Sequence, residues 1–410
     1  MLNKLIEKYA ELTVKVGVNV QKNQIVVIRA TTETKELVRE LTKQAYLAGA
    51  KKVYVQWSDD YVNKYMFEYS SLEALTEVEN WSIEQSRFFV DESACFISVT
   101  SPIPGLNAGL DGNKIQASMV ARQKATPFFQ EHLMANKSQW VVIGAPNVVW
   151  AEKVFPNLEG DAAVYALWKA ILDASRVYVD NDPIKDWNKH NKTLSVHNKV
   201  LNDFNFKHLH FTNGLGTDLI VELVKDHIWA GGSEISGSGV IFNPNIPTEE
   251  SFTMPYRLGT RGKVYATKPL NYQGKLIEDF WLEFKDGKVV NFDAKKEKEA
   301  LKQLINSDEG SSYIGEIALI SHDSPISNTN ILFYNTLYDE NASCHMALGK
   351  AYAMNVKGGT KMTLDELLKA GANHSVVHSD FMFGSSDMKI VGVKHNGEEV
   401  LVFENGNFVI

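Results

Sequence analysis

The chain has 410 residues, enough for two or three domains at roughly 150 residues each. Its formal charge is 42 − 50 = −8, which counts against a general nucleic-acid binder. Cys95 and Cys344 are the only cysteines, so a disulfide-stapled scaffold and a multi-cysteine zinc site are both excluded. The N-terminal stretch scatters charges among its apolar residues, unlike a signal peptide. No apolar run approaches the ~18 residues that would suggest a membrane span. The expected address is the cytoplasm, away from any membrane.

The first half alternates helical and strand-like patterns. Leu2, Leu5, Ile6, Tyr9 and Leu12 recur at helical spacing. QIVVIRA (24–30) reads as a strand. Next comes a helix bearing Leu37, Leu41, Ala45 and Ala48 and ending at Gly49. KKVYVQW (51–57) follows as another strand, so the three form a parallel strand–helix–strand unit. ACFISVT (94–100) and QWVVIGA (139–145) add two buried strands, 161–174 a helix and 176–180 a further strand.

The pattern changes near 181–190. Asp182 and Pro183 form a helix start. Beyond 205 the chain is mostly strands and turns, with Asp286-Gly287 as a hairpin signal. Short helical patterns occupy 295–305 and 362–370. The expected architecture is an α/β N-terminal domain with a largely parallel sheet (1–185), followed by an α+β C-terminal domain (186–410).

Nine of the 11 histidines fall at or beyond His197, so metal or acid–base chemistry is expected in the second half. GGSEISGSG (231–239) lacks the Gly-Lys-Ser/Thr ending of a phosphate loop and reads as a mobile loop or a close backbone approach. Cys344 reads as a packed, inert thiol. Four segments collect metal-ligand residue types. NIPTEESFTMP holds Glu249 and Glu250, and IGEIALIS holds Glu316 at the head of an apolar run. YDENASCHMALGKAY holds His345 and Tyr352, seven apart, which a helix would place on one face. NHSVVHSDFMFGSS holds His374, His378 and Asp380. A strand there projects His378 and Asp380 to one side, a natural ligand pair for Zn²⁺ or a similar ion. Each feature also has a bland explanation: a solvated surface, a strand end in water, a packed core residue, a His–Asp hydrogen bond. Together they exceed the needs of one tetrahedral ion and suit two ions sharing a carboxylate and a water. On spacing alone this is a possible dinuclear hydrolase. A dinuclear phosphoesterase and a non-catalytic metal-binding scaffold are the alternatives.

PNIPTEESFTMP, GEIALI, DENASCHMALGKAY and HSDFMFGS, in that order, resemble the aminopeptidase T / aminopeptidase S family of dinuclear metallopeptidases. The resemblance covers nearly the whole chain. Ser251, Met254 and Phe383 depart from the pattern, and none of them replaces a ligand. The resemblance implies Glu250, Glu316, His345, Tyr352, His378 and Asp380 as ligands of two divalent metal ions (zinc, cobalt or manganese). It leaves His374 unconstrained. It also implies a homodimer and a peptide substrate, from which a metal-activated water releases the N-terminal amino acid. Glu249 or Glu316 is the expected general base.

Overall fold

The computed structural model describes every residue except Ala108, Gln273 and Gly274. The chain divides into two compact units. The first comprises Met1–Lys189 and Ser233–Pro247, the second His190–Gly232 and Thr248–Ile410.

In the first unit, strands β1 (Ile25–Thr31), β2 (Lys52–Ser58), β3 (Cys95–Thr100) and β4 (Trp140–Gly144) form a sheet in the order β2-β1-β3-β4. All pairings are parallel. Ile25, Val26, Val27 and Ile28 are all buried, as expected for a strand covered on both faces. Ile25 and Val27 pack with Phe89, Phe96 and Phe129. The strand expected at 176–180 is a set of turns instead. Arg176 adopts φ 57° and the Val177 N–H donates to the Leu172 carbonyl, closing the preceding helix. The Asn181 carboxamide then accepts from the Tyr178 N–H. Local turn chemistry outweighs the apolar character of RVYVD. The small hairpin β7 (Glu234–Ile235) and β8 (Ile241–Phe242) belongs to this unit.

Pro183–Phe204 is helical, as Asp182 and Pro183 signalled, and Asp182 accepts from the Lys185 N–H. The second unit has two sheets. One contains β5 (Phe206–Thr212), β6 (Asp218–Leu223), β10 (Pro255–Tyr265), β11 (Leu270–Tyr272), β12 (Lys275–Lys285), β13 (Lys288–Lys296), β17 (Lys389–Lys394), β18 (Glu399–Glu404) and β19 (Asn407–Phe408). Asp286 and Gly287, both at positive φ, turn β12 into β13.

The other sheet runs β16-β15-β14-β9, all antiparallel: β9 (Ser251–Thr253), β14 (Ile314–Leu319), β15 (His345–Gly349) and β16 (His378–Met382). One face is apolar. Ile317, Leu319, Met346, Leu348 and Phe381 enter the unit's large core with Phe211, Leu282 and Phe403. The opposite face of this small sheet carries the polar cluster described next.

Candidate metal centre

Register decides which side chains share a face. Residues directly opposite in an antiparallel pair point the same way. Glu316 lies opposite Ala347, and Ala347 lies opposite Asp380. His345 lies opposite Ala318 and Met382, and His378 opposite Gly349. With side chains alternating along each strand, Glu316, His345, His378 and Asp380 all leave one face. Phe252 lies opposite Ala318, and Glu250, two residues earlier, shares its parity. Ala347 and Gly349 form a floor of small residues between the ligands.

Simple alternation along IGEIALI would put Glu316 on the apolar side with Ile314. The structure avoids this with a β-bulge. Ile314 pairs with Leu348, yet Glu316 pairs with Ala347. The extra residue re-aims Glu316 to the polar face. Gly315 permits it: a Cβ there would stand 2.3 Å from the Gly349 carbonyl oxygen and 2.5 Å from the Lys350 carbonyl carbon. Glu250 is held by an equally close approach. Gly231, at φ +139°, has room for no Cβ, which would stand 2.1 Å from the Glu250 carbonyl oxygen. The close-approach reading of the glycine-rich run therefore applies at its first residue.

Asn373 braces the other side of the centre. It is buried and donates to the carbonyls of Gly310 and Gly349 at 2.8 and 2.6 Å, while its own carbonyl accepts from the Ala351 N–H at 3.0 Å. This fixes the exit of β15, from which Tyr352 emerges. His345 and Tyr352 do not lie on a helix: the strand ends at Gly349 and a short turn follows. His374 is exposed and lies outside β16.

The ligand atoms converge. Glu250, Glu316 and His345 form one group whose candidate ligand atoms lie within 4.8 Å of one another, and Glu316, His378 and Asp380 form a second. His345 Nε2 is 3.4 Å from both Glu250 and Glu316, while His378 Nε2 is 3.7 Å from Glu316 and 3.4 Å from Asp380. Glu316 belongs to both groups. The remaining ring nitrogens are occupied: His378 Nδ1 faces the Lys350 carbonyl at 2.7 Å and His345 Nδ1 the Ser343 carbonyl at 3.4 Å. Each therefore holds a proton on Nδ1 and offers Nε2 to an ion. Tyr352 borders the cluster, its ring 4.8 Å from that of His378 and 6.2 Å from Phe252.

Electrostatics fit a cation site. Burial and the neighbouring carboxylates raise the Glu316 pKa, and burial with Asp380 and Glu250 holds that of Glu340 well above the carboxylate range. Burial opposes protonation of the two histidines, but their carboxylate neighbours win: His345 is raised well above normal and His378 to about 9. Burial and the surrounding negative charges also raise the Tyr352 phenol above its usual value. Among the described residues, Glu316 Oε2 and Asp380 Oδ1 are buried without a hydrogen-bond partner. Orphaned carboxylate oxygens are costly unless an ion takes them. Four carboxylates (Glu250, Glu316, Glu340, Asp380) balance two divalent cations, and the nitrogen–oxygen donor set suits zinc, cobalt or manganese.

Glu340 was not anticipated. It sits on the turn after the Thr336–Asp339 helix, and its signal was its place in the DENASCH block, five residues before His345. Glu249, considered as a base, has its carboxylate buried 3.7 Å from His190 Nε2, while its N–H donates to the Asn341 side-chain carbonyl. Cys344 does not partner His345. Its Sγ lies 3.4 Å from both the N–H and the carbonyl of Ile320, and burial pushes its pKa up to about 11 and that of Cys95 to about 12. Neither thiol should react with a chromogenic disulfide reagent until denaturant is added; fast reaction of the native protein would contradict this burial.

A buried set of candidate ligands with a shared carboxylate, on one face of a small antiparallel sheet, is an arrangement that a two-metal hydrolase can use. The sequence matches the family described as thermophilic metalloprotease (M29) over residues 2–408. Aminopeptidase AmpS of Bacillus subtilis is 45% identical over 98% of this chain and 98% of its own. Aminopeptidase T of Thermus aquaticus is 35% identical over 99% and 98%. The solved structure of wild-type AmpT from Thermus thermophilus superposes with a TM-score of 0.92 at 34% identity and complete coverage of both chains. The chain belongs to the M29 metallopeptidase family. A 2,5-dihydroxypyridine dioxygenase from Pseudomonas putida shares the fold alone, at 12% identity and a TM-score of 0.56, so the fold by itself does not fix the reaction.

Proposed function

We propose that the protein is a metal-dependent aminopeptidase that hydrolyses the N-terminal peptide bond of peptides. The observation that carries this is the pair of ligand groups joined at Glu316 in a chain matching the family end to end. Glu250, Glu316 and His345 would hold one ion, and Glu316, His378 and Asp380 the other, with Tyr352 as a further ligand. Zinc, cobalt or manganese would satisfy these donors. When bound, such ions polarise the scissile carbonyl and lower the pKa of water to near neutrality.

The protein's own groups do the rest. A carboxylate beside the ions would accept a hydrogen bond from the substrate's free ammonium, favouring an unblocked N-terminus. Hydrogen bonds at Nδ1 hold the two imidazoles in the tautomer that leaves Nε2 free. Proton transfer to the leaving amine falls to Glu316, inside the ligand set, or to Glu249, beside His190. The Phe252 and Tyr352 rings meet edge to face, 6.2 Å apart, and the Tyr352 ring lies 4.8 Å from that of His378.

The division of labour assigns residues 1–185 to an α/β domain and 186–410 to the catalytic domain. The protein is taken to act as a cytoplasmic homodimer; among the described residues no helix is long and apolar enough to cross a membrane. The test is chelator-treated protein, re-metallated ion by ion and assayed on aminoacyl-anilides and aryl phosphates. Activity should return with a divalent ion, on the anilides only. Phosphate turnover alone, or metal binding without turnover of either substrate class, would reject the aminopeptidase.

A further inference from the structure

Tyr352 lies outside the sheet that carries the histidines. Its backbone is extended, at φ −92° and ψ 125°, between the end of β15 and the short turn Ala353–Asn355. The ring contacts with Phe252 and His378 restrain it, yet such contacts are not directional enough to fix a ligand atom. A group that must meet an ion needs its backbone held to within about 0.5 Å.

Upstream, Asn373 does this by accepting from the Ala351 N–H. Downstream, the counterpart is Asn355, which is 1% exposed. Its N–H donates to the Tyr352 carbonyl at 3.1 Å, and its carbonyl accepts from the Ile228 N–H at 2.8 Å. Its carboxamide donates to the Phe252 carbonyl at 3.1 Å and to the Ile228 carbonyl at 3.2 Å. Phe252 stands two residues after Glu250, and Ala230 pairs with it through two backbone bonds of 2.9 and 3.0 Å. One buried side chain therefore ties the Tyr352 turn to the ribbon that carries Glu250.

The same bonds show what the carboxamide is not needed for. The Phe252 carbonyl also accepts from the Ala230 N–H, and the Ile228 carbonyl also accepts from the Thr253 hydroxyl at 2.9 Å. Removing the carboxamide leaves each carbonyl with a donor, so the heavy penalty of an orphaned buried group does not arise. What disappears is the side-chain link between the Tyr352 turn and β9.

We propose that Asn355 is a positioning residue, whose carboxamide sets the separation of Tyr352 from Glu250 so that the phenol reaches the ion centre. The inference rests on the metal-dependent aminopeptidase reading, with Tyr352 as a ligand.

The test is a double-mutant cycle of Asn355→Ala and Tyr352→Phe, read first by metal titration of chelator-treated protein. Loading the wild type should give the ultraviolet difference spectrum of an ionised tyrosine, and Tyr352→Phe should abolish it. Asn355→Ala should weaken metal binding about 10–100-fold and lower kcat by about tenfold or more. At equal metal occupancy its tyrosinate signal should be smaller, with KM little changed. In the Tyr352→Phe background the same substitution should cost little more, because the two residues act as one unit. Metal-free Tm checks folding, and Asn355→Ser, with a smaller cavity, repeats the cycle if the alanine variant does not fold. Losses that simply add in the cycle, or a tyrosinate signal undiminished by the Asn355 variants, would overturn the proposal. So would a wild type that shows no tyrosinate on loading. A coupled cycle in metal binding, in a protein that releases no amino acid from any peptide, would instead reject the aminopeptidase reading and leave the positioning role standing.

Discussion

Glu316→Gln should lose both metal ions, whereas His378→Ala should lose one. Glu316 is the single side chain common to the two ligand groups. It is buried, and one of its oxygens has no hydrogen-bond partner among the described residues. An amide of the same shape keeps the packing but removes the negative charge and replaces an acceptor oxygen with a donor. Changes outside the ligand set of a metal site already cost about 10–100-fold in affinity or activity, so losing the shared ligand should cost at least about 100-fold in activity. His378 belongs only to the second group, and its removal leaves Glu250, Glu316 and His345 in place. Elemental analysis gives the metal-to-protein ratio directly, and cobalt absorption reports on each site's geometry. Two ions retained by Glu316→Gln with wild-type turnover would refute the shared-ligand assignment. Folding should not be the problem: with fewer negative charges crowded together, metal-free Glu316→Gln should melt no lower than the metal-free wild type.

Metal removal should make stability fall as pH rises from neutrality into the alkaline range. His378 has its folded pKa raised to about 9, from an ordinary 6.5. Its stabilising contribution is fully present below about pH 6.5 and lost as pH climbs through about 9. His345 is raised too and acts in the same direction. Glu316 and Glu340 are raised above the ordinary carboxylate value, so their protonated forms also favour the folded state until pH passes their raised values. Asp380 works oppositely. Its pKa is depressed, mainly by His378 against its own burial, so its contribution is lost as pH falls through the depressed value. From about pH 6.5 to about pH 9 the net effect on the metal-free protein is destabilisation. Bound ions reverse this, because they require the deprotonated ligands. At an ion concentration of 100 times Kd, each site adds about 2.7 kcal/mol. The melting gap between loaded and metal-free protein should therefore widen with pH, reaching on the order of 10 °C. Calorimetry of both forms across this range checks the sign. A gap that narrows toward alkaline pH would mean that these groups do not titrate together as one metal-binding cluster.

Much of the candidate cluster was legible in the chain because its residues sit in short blocks with local geometry. His378 and Asp380 are two apart on a real strand, so alternation alone placed them together. Other parts depended on pairing partners distant in sequence. Nothing in IGEIALI announces the bulge that turns Glu316 away from Ile314, because the bulge exists only relative to β15. Glu340 joined the cluster through the turn after a short helix, where no periodic signal applies. The seven-residue spacing of His345 and Tyr352 matched a helix by arithmetic. The buried run HMALG instead pairs on both sides as a central strand, and tertiary pairing outweighs the spacing. The parallel sheet of the first unit was readable from its apolar runs. The exception was 176–180, where a helix-ending turn uses residues of strand-like composition.

The small sheet has two working faces, and its thickness is one polypeptide. On β15, His345 points to the candidate metal cluster while Met346 enters the core; on β16, Asp380 and Phe381 divide in the same way. No layer lies between catalytic centre and hydrophobic interior to absorb a disturbance in either. Loosening the core by heat, by denaturant or by a cavity at Met346 or Phe381 therefore shifts ligand spacing at once. Inactivation, metal release and melting of this unit should coincide as a single event, so a more durable enzyme could be sought by tightening the core from behind rather than by altering the site itself.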